Sequence, residues 1–154
     1  MQSSRTSPGT PSRGDVQVGA RLATRTRMVT DKDHEAFCSL VGYDVPLFLD
    51  DDFARAQGLS GRICPSHLIM SFSSAMTGDL FAGTVIAMVA LDNAQFLMPV
   101  HPRDTIRTEV EVLEKRVTSR SDRGLVIFRD HVYNQHGHEV FVNDKTVLLR
   151  RRPA

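Results

Sequence analysis

An α+β fold, with an antiparallel sheet wrapped round one long central helix, is predicted by three features of the 154-residue sequence. Residues 65–81 form the longest stretch with helical apolar spacing, the chain after Gly83 has strand character, and its strands are joined by turns too tight for parallel crossovers. A helix with an apolar stripe must bury that stripe against another element, and one face of such a sheet supplies the surface.

Residues 1–15, MQSSRTSPGTPSRGD, combine Ser, Thr, Pro, Gly and Arg with almost nothing apolar. No side chains there can offset the entropy of ordering, so a disordered tail is expected, with one folded domain over 16–154. From Thr30, TDKDHEAFCSLVG opens with a capping residue and acidic first-turn positions and closes at Gly42, giving a helix of about three turns. A loop follows. Asp50 then caps a short helix over DDFARAQ, which Gly58 can terminate, so the first half of the domain is read as helical.

In PSHLIMSFSSAMTGDLF, Pro65 suits the first turn, and Leu68, Ile69, Phe72, Ala75 and Met76 recur at helical spacing as core positions. Ser71, Ser73 and Ser74 lie beside that stripe and are small enough to let a backbone or a ligand approach. TVIAMVALDNAQFLMPV is a long β-branched and apolar strand, and DTIRTEVEVL alternates Ile106, Thr108, Val110 and Val112 with Arg107, Glu109 and Glu111. GLVIFRDHVYNQHGHEVFVNDKTVLLRR gives two more strands, joined where Asn134 and Gly137 supply turn chemistry.

Composition narrows the function classes. Lys and Arg number 19 against 18 Asp and Glu, and they are interspersed, so neither a nucleic-acid nor a membrane partner is indicated; the RRR at 150–152 is read as a solubilising end. Two cysteines, Cys38 and Cys64, form no disulfide framework and no metal-ligand spacing, which suits a reducing compartment. No apolar run reaches about 18 residues, and the expected location is the cytoplasm. Asp50, Asp51 and Asp52 point in different directions at a helix start and are read as cap and first turn, so no metal is assigned. His131, His136 and His138 are given turn or surface roles.

The stretch FLMPVHPRDTIRTEVEVLEKRVTSRSDRGLVIFRDHVYNQHGHEV, residues 96–140, resembles the MaoC-like branch of the hotdog superfamily, the (R)-specific enoyl-CoA hydratases and dehydratases. The resemblance lies in the family's PV-x-x-x-DT strand entry, its E-V-x-x-x-R stretch, its S-R-x-x-x-G turn and its N-Q-x-G hairpin; LSGRICPSHLIMSF, residues 59–72, resembles its entry into the central helix. It implies a single hotdog fold, homodimerisation, a CoA- or carrier-bound acyl thioester as partner and no other cofactor. It also implies that backbone N–H groups at the start of the central helix bind the thioester oxygen, where the dipole stabilises a developing enolate.

The family's water-activating Asp and His lie in a G-D-x-N-P-x-H motif. GYDVPLF matches it at Gly42, Pro46 and Leu47, but Tyr43 stands at the Asp position, Val45 at the Asn position and Phe48 at the His position. A phenyl ring transfers no proton, and tyrosine is a poor base at neutral pH. Asp44, one residue later, and His67, in the first turn of the central helix, are the residues able to substitute; a turn residue and a packed helix histidine are their alternative roles. Tyr43, Phe48, Cys64, Pro65 and Ser66 are the expected substrate-binding residues. Ser66 stands where the family commonly has glycine, and Cys64 is read as a buried apolar residue rather than a nucleophile. Lys115, Arg116, Arg120 and Arg123 suit either CoA phosphates or a solvated turn.

Three functions follow. One is an enoyl-thioester hydratase or dehydratase working through Asp44 and His67. Another is a non-catalytic acyl-CoA-binding module, or the inactive partner of a catalytic hotdog subunit. The last is a thioesterase with Asp44 activating water.

Overall fold

The computed structural model describes residues 16–151. The tail expected at 1–15 and the end of the RRR run lie outside them. Four helices, α1 (Asp31–Val41), α2 (Pro46–Leu49), α3 (Asp51–Ala56) and α4 (Ser66–Phe81), accompany six strands, β1 (Arg21–Ala23), β2 (Arg27–Met28), β3 (Val85–Phe96), β4 (Thr105–Val117), β5 (Arg123–Tyr133) and β6 (Glu139–Arg150). The sheet runs β1-β4-β5-β6-β3 and is antiparallel throughout, with β2 also paired to β4.

Local chemistry sets the helix ends. Thr30 and Asp33 form a reciprocal capping box at the start of α1, and Gly42 closes it in the left-handed conformation, φ 77°. The Asp50 carboxylate accepts from the N–H groups of Asp52 and Phe53, so it caps α3 as expected, and Asp52 pairs with Arg55. Asp51 does something else: it accepts from the Arg62 N–H at 2.9 Å, tying α3 to the approach to α4. Three details differ from the sequence reading. The helical first half begins with two short strands, which exist because β5 pairs with one edge of β4 and leaves them the other. Pro46–Leu49 forms a turn of helix where a loop was expected, with Pro46 at its first position. Finally, Pro65 precedes α4 as its N-cap rather than lying in its first turn.

The core is two clusters stacked along α4. Leu68, Ile69 and Met76 pack on Ile106, Val132, Val140 and Phe141; Phe81 packs on Val110, Val112, Val126, Phe128 and Leu149. Ile106, Thr108, Val110 and Val112 all face inward, as their alternation predicts. Ala75, however, is exposed and Phe72 only half-buried, under the Arg27 guanidinium at 3.9 Å. Ser73 and Thr77 are buried in their place. The buried face of α4 is turned toward these hydroxyls because Thr108 and Lys145 on the sheet supply partners for them: Ser73 Oγ lies 2.9 Å from Thr108 Oγ1, and Lys145 Nζ donates to Thr77 Oγ1 at 2.6 Å.

The outer face of the sheet is charged. Arg129 binds Asp144 through two hydrogen bonds, 2.7 and 3.0 Å, and Asn93 Nδ2 adds a third at 2.9 Å; these bonds, Arg129 foremost, hold the Asp144 carboxyl below its ordinary range. His131 sits between Glu139 and Glu111, and its bond to Glu111 is the main reason that carboxyl is also lowered. A carboxylate with a depressed folded-state pKa contributes stability above its unfolded value, and loses it as pH falls through the folded value. Thermal melts should therefore show stability falling once pH drops below about 4, the unfolded carboxylate range. Arg129→Gln should flatten that acid slope; an unchanged slope would show that Asp144 does not contribute to it.

Candidate functional site

The first turn of α4 leaves backbone donors unused. Leu68 N–H reaches the Pro65 carbonyl at 3.0 Å, while the N–H groups of Ser66 and His67 meet no acceptor among the described residues, and no side chain caps the helix. Such groups carry the positive end of the helix dipole and suit an anionic or carbonyl oxygen. The incoming chain is fixed on both sides, by Ile63 N–H to the Leu47 carbonyl at 3.2 Å and Cys64 N–H to the Val100 carbonyl at 2.7 Å. Beside this turn opens a cavity of about 240 Å³, walled by Cys64, Ser66, Ile69, Phe96, Met98 and Phe141 among others. Its walls are apolar, and none of its lining residues is a carboxylate or a histidine.

Cys64 is buried, and burial pushes its thiol up to about 12, so it stays protonated and serves as wall rather than nucleophile. Cys38 is also a free, buried thiol. Pro65 is buried and does not line the cavity; Ser66 is half-buried and does. The predicted lining residues Cys64 and Ser66 thus meet at one cavity.

Tyr43 and Phe48 stand apart from its walls and pack edge to face, ring centroids 5.2 Å apart, with Phe37 behind Tyr43 at 6.3 Å. The two positions that hold the family's acid–base pair are therefore filled by an aromatic contact. The Tyr43 hydroxyl approaches His67 Nδ1 at 3.5 Å, the outer limit of a hydrogen bond, and His67 is exposed. Asp44 is exposed too, and among the described residues its carboxylate has no hydrogen-bond or ion-pair partner. No hydrogen bond or ion pair joins Asp44 to His67 among the described residues. Arg116 is paired to Glu114, and Arg120 and Arg123 to Asp122, at the β4–β5 turn.

One residue that sequence reasoning missed shapes this region. His34 is fully buried on α1, and its Nε2 donates to the Phe48 carbonyl at 2.7 Å, while Nδ1 has no partner among the described residues. It anchors the backbone of the loop at the position where the motif would carry its own histidine. Its spacing of four from Cys38, along the inward face of α1, is the only sequence signal it gives.

Among the described residues no helix is long and apolar enough to cross a membrane, and no group of three or more metal-ligating side chains gathers. Compared with known families, residues 15–128 match the model of the MaoC like domain. The chain belongs to the MaoC-like domain family. YdeM of Bacillus subtilis is 31% identical to this MaoC-like chain over 140 residues, covering 89% of it and 97% of YdeM. The mesaconyl-CoA hydratase of Cereibacter sphaeroides is 28% identical over 139 residues; the match takes in 90% of this chain but only 40% of the hydratase. A Mycobacterium tuberculosis protein with a double hotdog fold superposes with a TM-score of 0.84 at 21% identity, over 93% of this chain and 45% of that one. The MaoC-like domain is thus a single hotdog unit, with α4 as the helix that the sheet wraps, and its family is one of hydratases and dehydratases.

Proposed function

We propose that this MaoC-like domain binds an acyl thioester at the start of α4 and does not hydrate it unaided. The thioester oxygen would lie on the free N–H groups of Ser66 and His67, and the acyl chain would enter the apolar cavity beside them. The observation that carries this reading is the pairing of an open helix N-terminus and an apolar cavity with an aromatic contact at both acid–base positions. Asp44 and His67, the residues proposed to replace the pair, share no hydrogen bond among the described residues, and both are exposed, which weighs against the hydratase and thioesterase readings for the isolated chain.

The ligand site also has an unfinished side. Among the described residues β3 is a sheet edge paired only to β6, and Met88, Val89, Leu91, Phe96 and Met98 on or just after it are each more than two-fifths exposed. Apolar side chains on an unpaired edge favour pairing with a second chain. The reading therefore includes dimerisation along β3, with a second copy or with a hotdog subunit that carries the acid–base pair.

Ser66→Pro removes one of the two free N–H groups at a helix position that tolerates proline. Calorimetric titration with crotonyl-CoA should show saturable binding to the native protein and roughly tenfold weaker binding to this variant. Equal affinities would place the thioester oxygen elsewhere.

A further inference from the structure

A second cavity, of about 380 Å³, also lies against α4, and Phe141 lines both it and the first. Ser73 and Ser74 lie two turns beyond Ser66, so the rise of a helix puts this cavity about 10 Å from the free N–H groups. Its helix side is small and its outer side is Met88 and Leu91, but its floor is polar. Asp130, Asn143 and Lys145 all project from the inner face of the sheet, Asp130 directly opposite Asn143, into what is otherwise the apolar underside of α4.

The bonding of this floor is incomplete. Lys145 Nζ lies 2.8 Å from Asp130 Oδ2 and donates to Thr77, and the two side chains are only 6% and 4% exposed. Asp130 Oδ1 is buried and has no partner among the described residues. Asn143, a residue 3% exposed, also lines this cavity; its side-chain amide makes no hydrogen bond among the described residues, but unlike Asp130 Oδ1 it is not a buried unpartnered group. A buried acceptor left empty costs free energy that an apolar residue at the same place would not, so this arrangement suits a cavity that is filled by a polar group when occupied.

We infer that the acyl cavity ends in a polar recognition site, where Asp130 and Asn143 hold a hydroxyl group carried at the far end of the bound acyl chain. A hydroxyl matches both groups, since it donates to Asp130 Oδ1 and accepts from the Asn143 amide. A carboxylate matches less well, because Asp130 repels it as much as Lys145 attracts it. A chain ending in a methyl group bonds to neither. The inference rests on the thioester reading above and adds the substrate class, a hydroxyl-ended acyl thioester of medium length.

The test compares two saturated acyl-CoA thioesters of equal chain length, one ended by a hydroxyl and one by a methyl group, titrated into the native protein and into the Asp130→Leu/Lys145→Met double variant. The double change removes the buried charges together and so avoids leaving one of them unpaired. The hydroxyl-ended thioester should bind the native protein about tenfold more tightly, the scale of one hydrogen bond to a charged group, and the double variant should lose or reverse that preference. Equal or tighter binding of the methyl-ended thioester to the native protein overturns the inference alone, as does a preference that survives the double substitution. If neither thioester binds, the reading of the α4 start fails and takes this inference with it.

Discussion

Lys145→Met is expected to destabilise the domain by about 3–5 kcal/mol, because it leaves Asp130 buried without its counter-ion. For a chain of this size that corresponds to a fall in melting temperature of roughly 10 °C or more. Burial already pushes the Asp130 carboxyl up and the Lys145 ammonium down, each opposed by the attraction of the other. Once the ammonium is gone, the carboxyl can relieve its cost only by taking up a proton. The variant should accordingly recover stability on acidification toward pH 5, in the window where the native domain has not yet begun to lose its Asp144 and Glu111 contributions. Removing both charges, as Asp130→Leu/Lys145→Met, should return most of the loss. Chemical denaturation of the two variants beside the native chain measures this directly, and a single variant as stable as the native protein would show that the pair is not buried in solution.

The second large effect is a gain. Tyr43→Asp, Val45→Asn and Phe48→His together write the hydratase motif back into a loop whose framework, Gly42, Pro46 and the His34 bond to the carbonyl of residue 48, is already in place. A positioned acid–base pair contributes about 10²–10⁴-fold to a proton-transfer step. The triple variant should hydrate crotonyl-CoA at a rate at least a hundredfold above the native protein, followed by loss of the enoyl absorbance. Binding without any such gain would mean that the loop does not present these positions to the thioester.

Much of the fold was legible because its signals are local and repeated. The capping residue Thr30, the helix end at Gly42, the Asp50 cap and the inward alternation of β4 each need only a few residues to be read. The first two strands were not legible, since Arg21–Ala23 and Arg27–Met28 are too short to alternate and are strands only because β4 offers its edge. The one-turn helix at Pro46–Leu49 is likewise below the length at which periodicity exists.

The site divides in the same way. Cys64, Pro65 and Ser66 follow from their place before and at the start of the long helix. The aromatic packing of Tyr43 on Phe48 does not, because it depends on how the loop is held by His34. The polar cavity floor carried a usable signal that went unread: Asp130 shares its strand parity with the buried Val126, Phe128 and Val132, and Lys145 shares its parity with Val147 and Leu149. A charge at an inward position of a strand asks for a partner across the core, and here Thr77 on the helix accepts from Lys145 while Ser73 pairs with the inward Thr108, and Ala75 is left off the face where hydropathy alone had put it.

The central claim is that the site binds thioester without turning it over, and one sample tests it. Purified native protein mixed with crotonyl-CoA should give saturable binding heat while the enoyl absorbance stays constant through many times the binding equilibration time. Steady loss of that absorbance with the native chain alone would contradict the account, and abolition of the loss by His67→Ala would show that the rearranged pair catalyses after all.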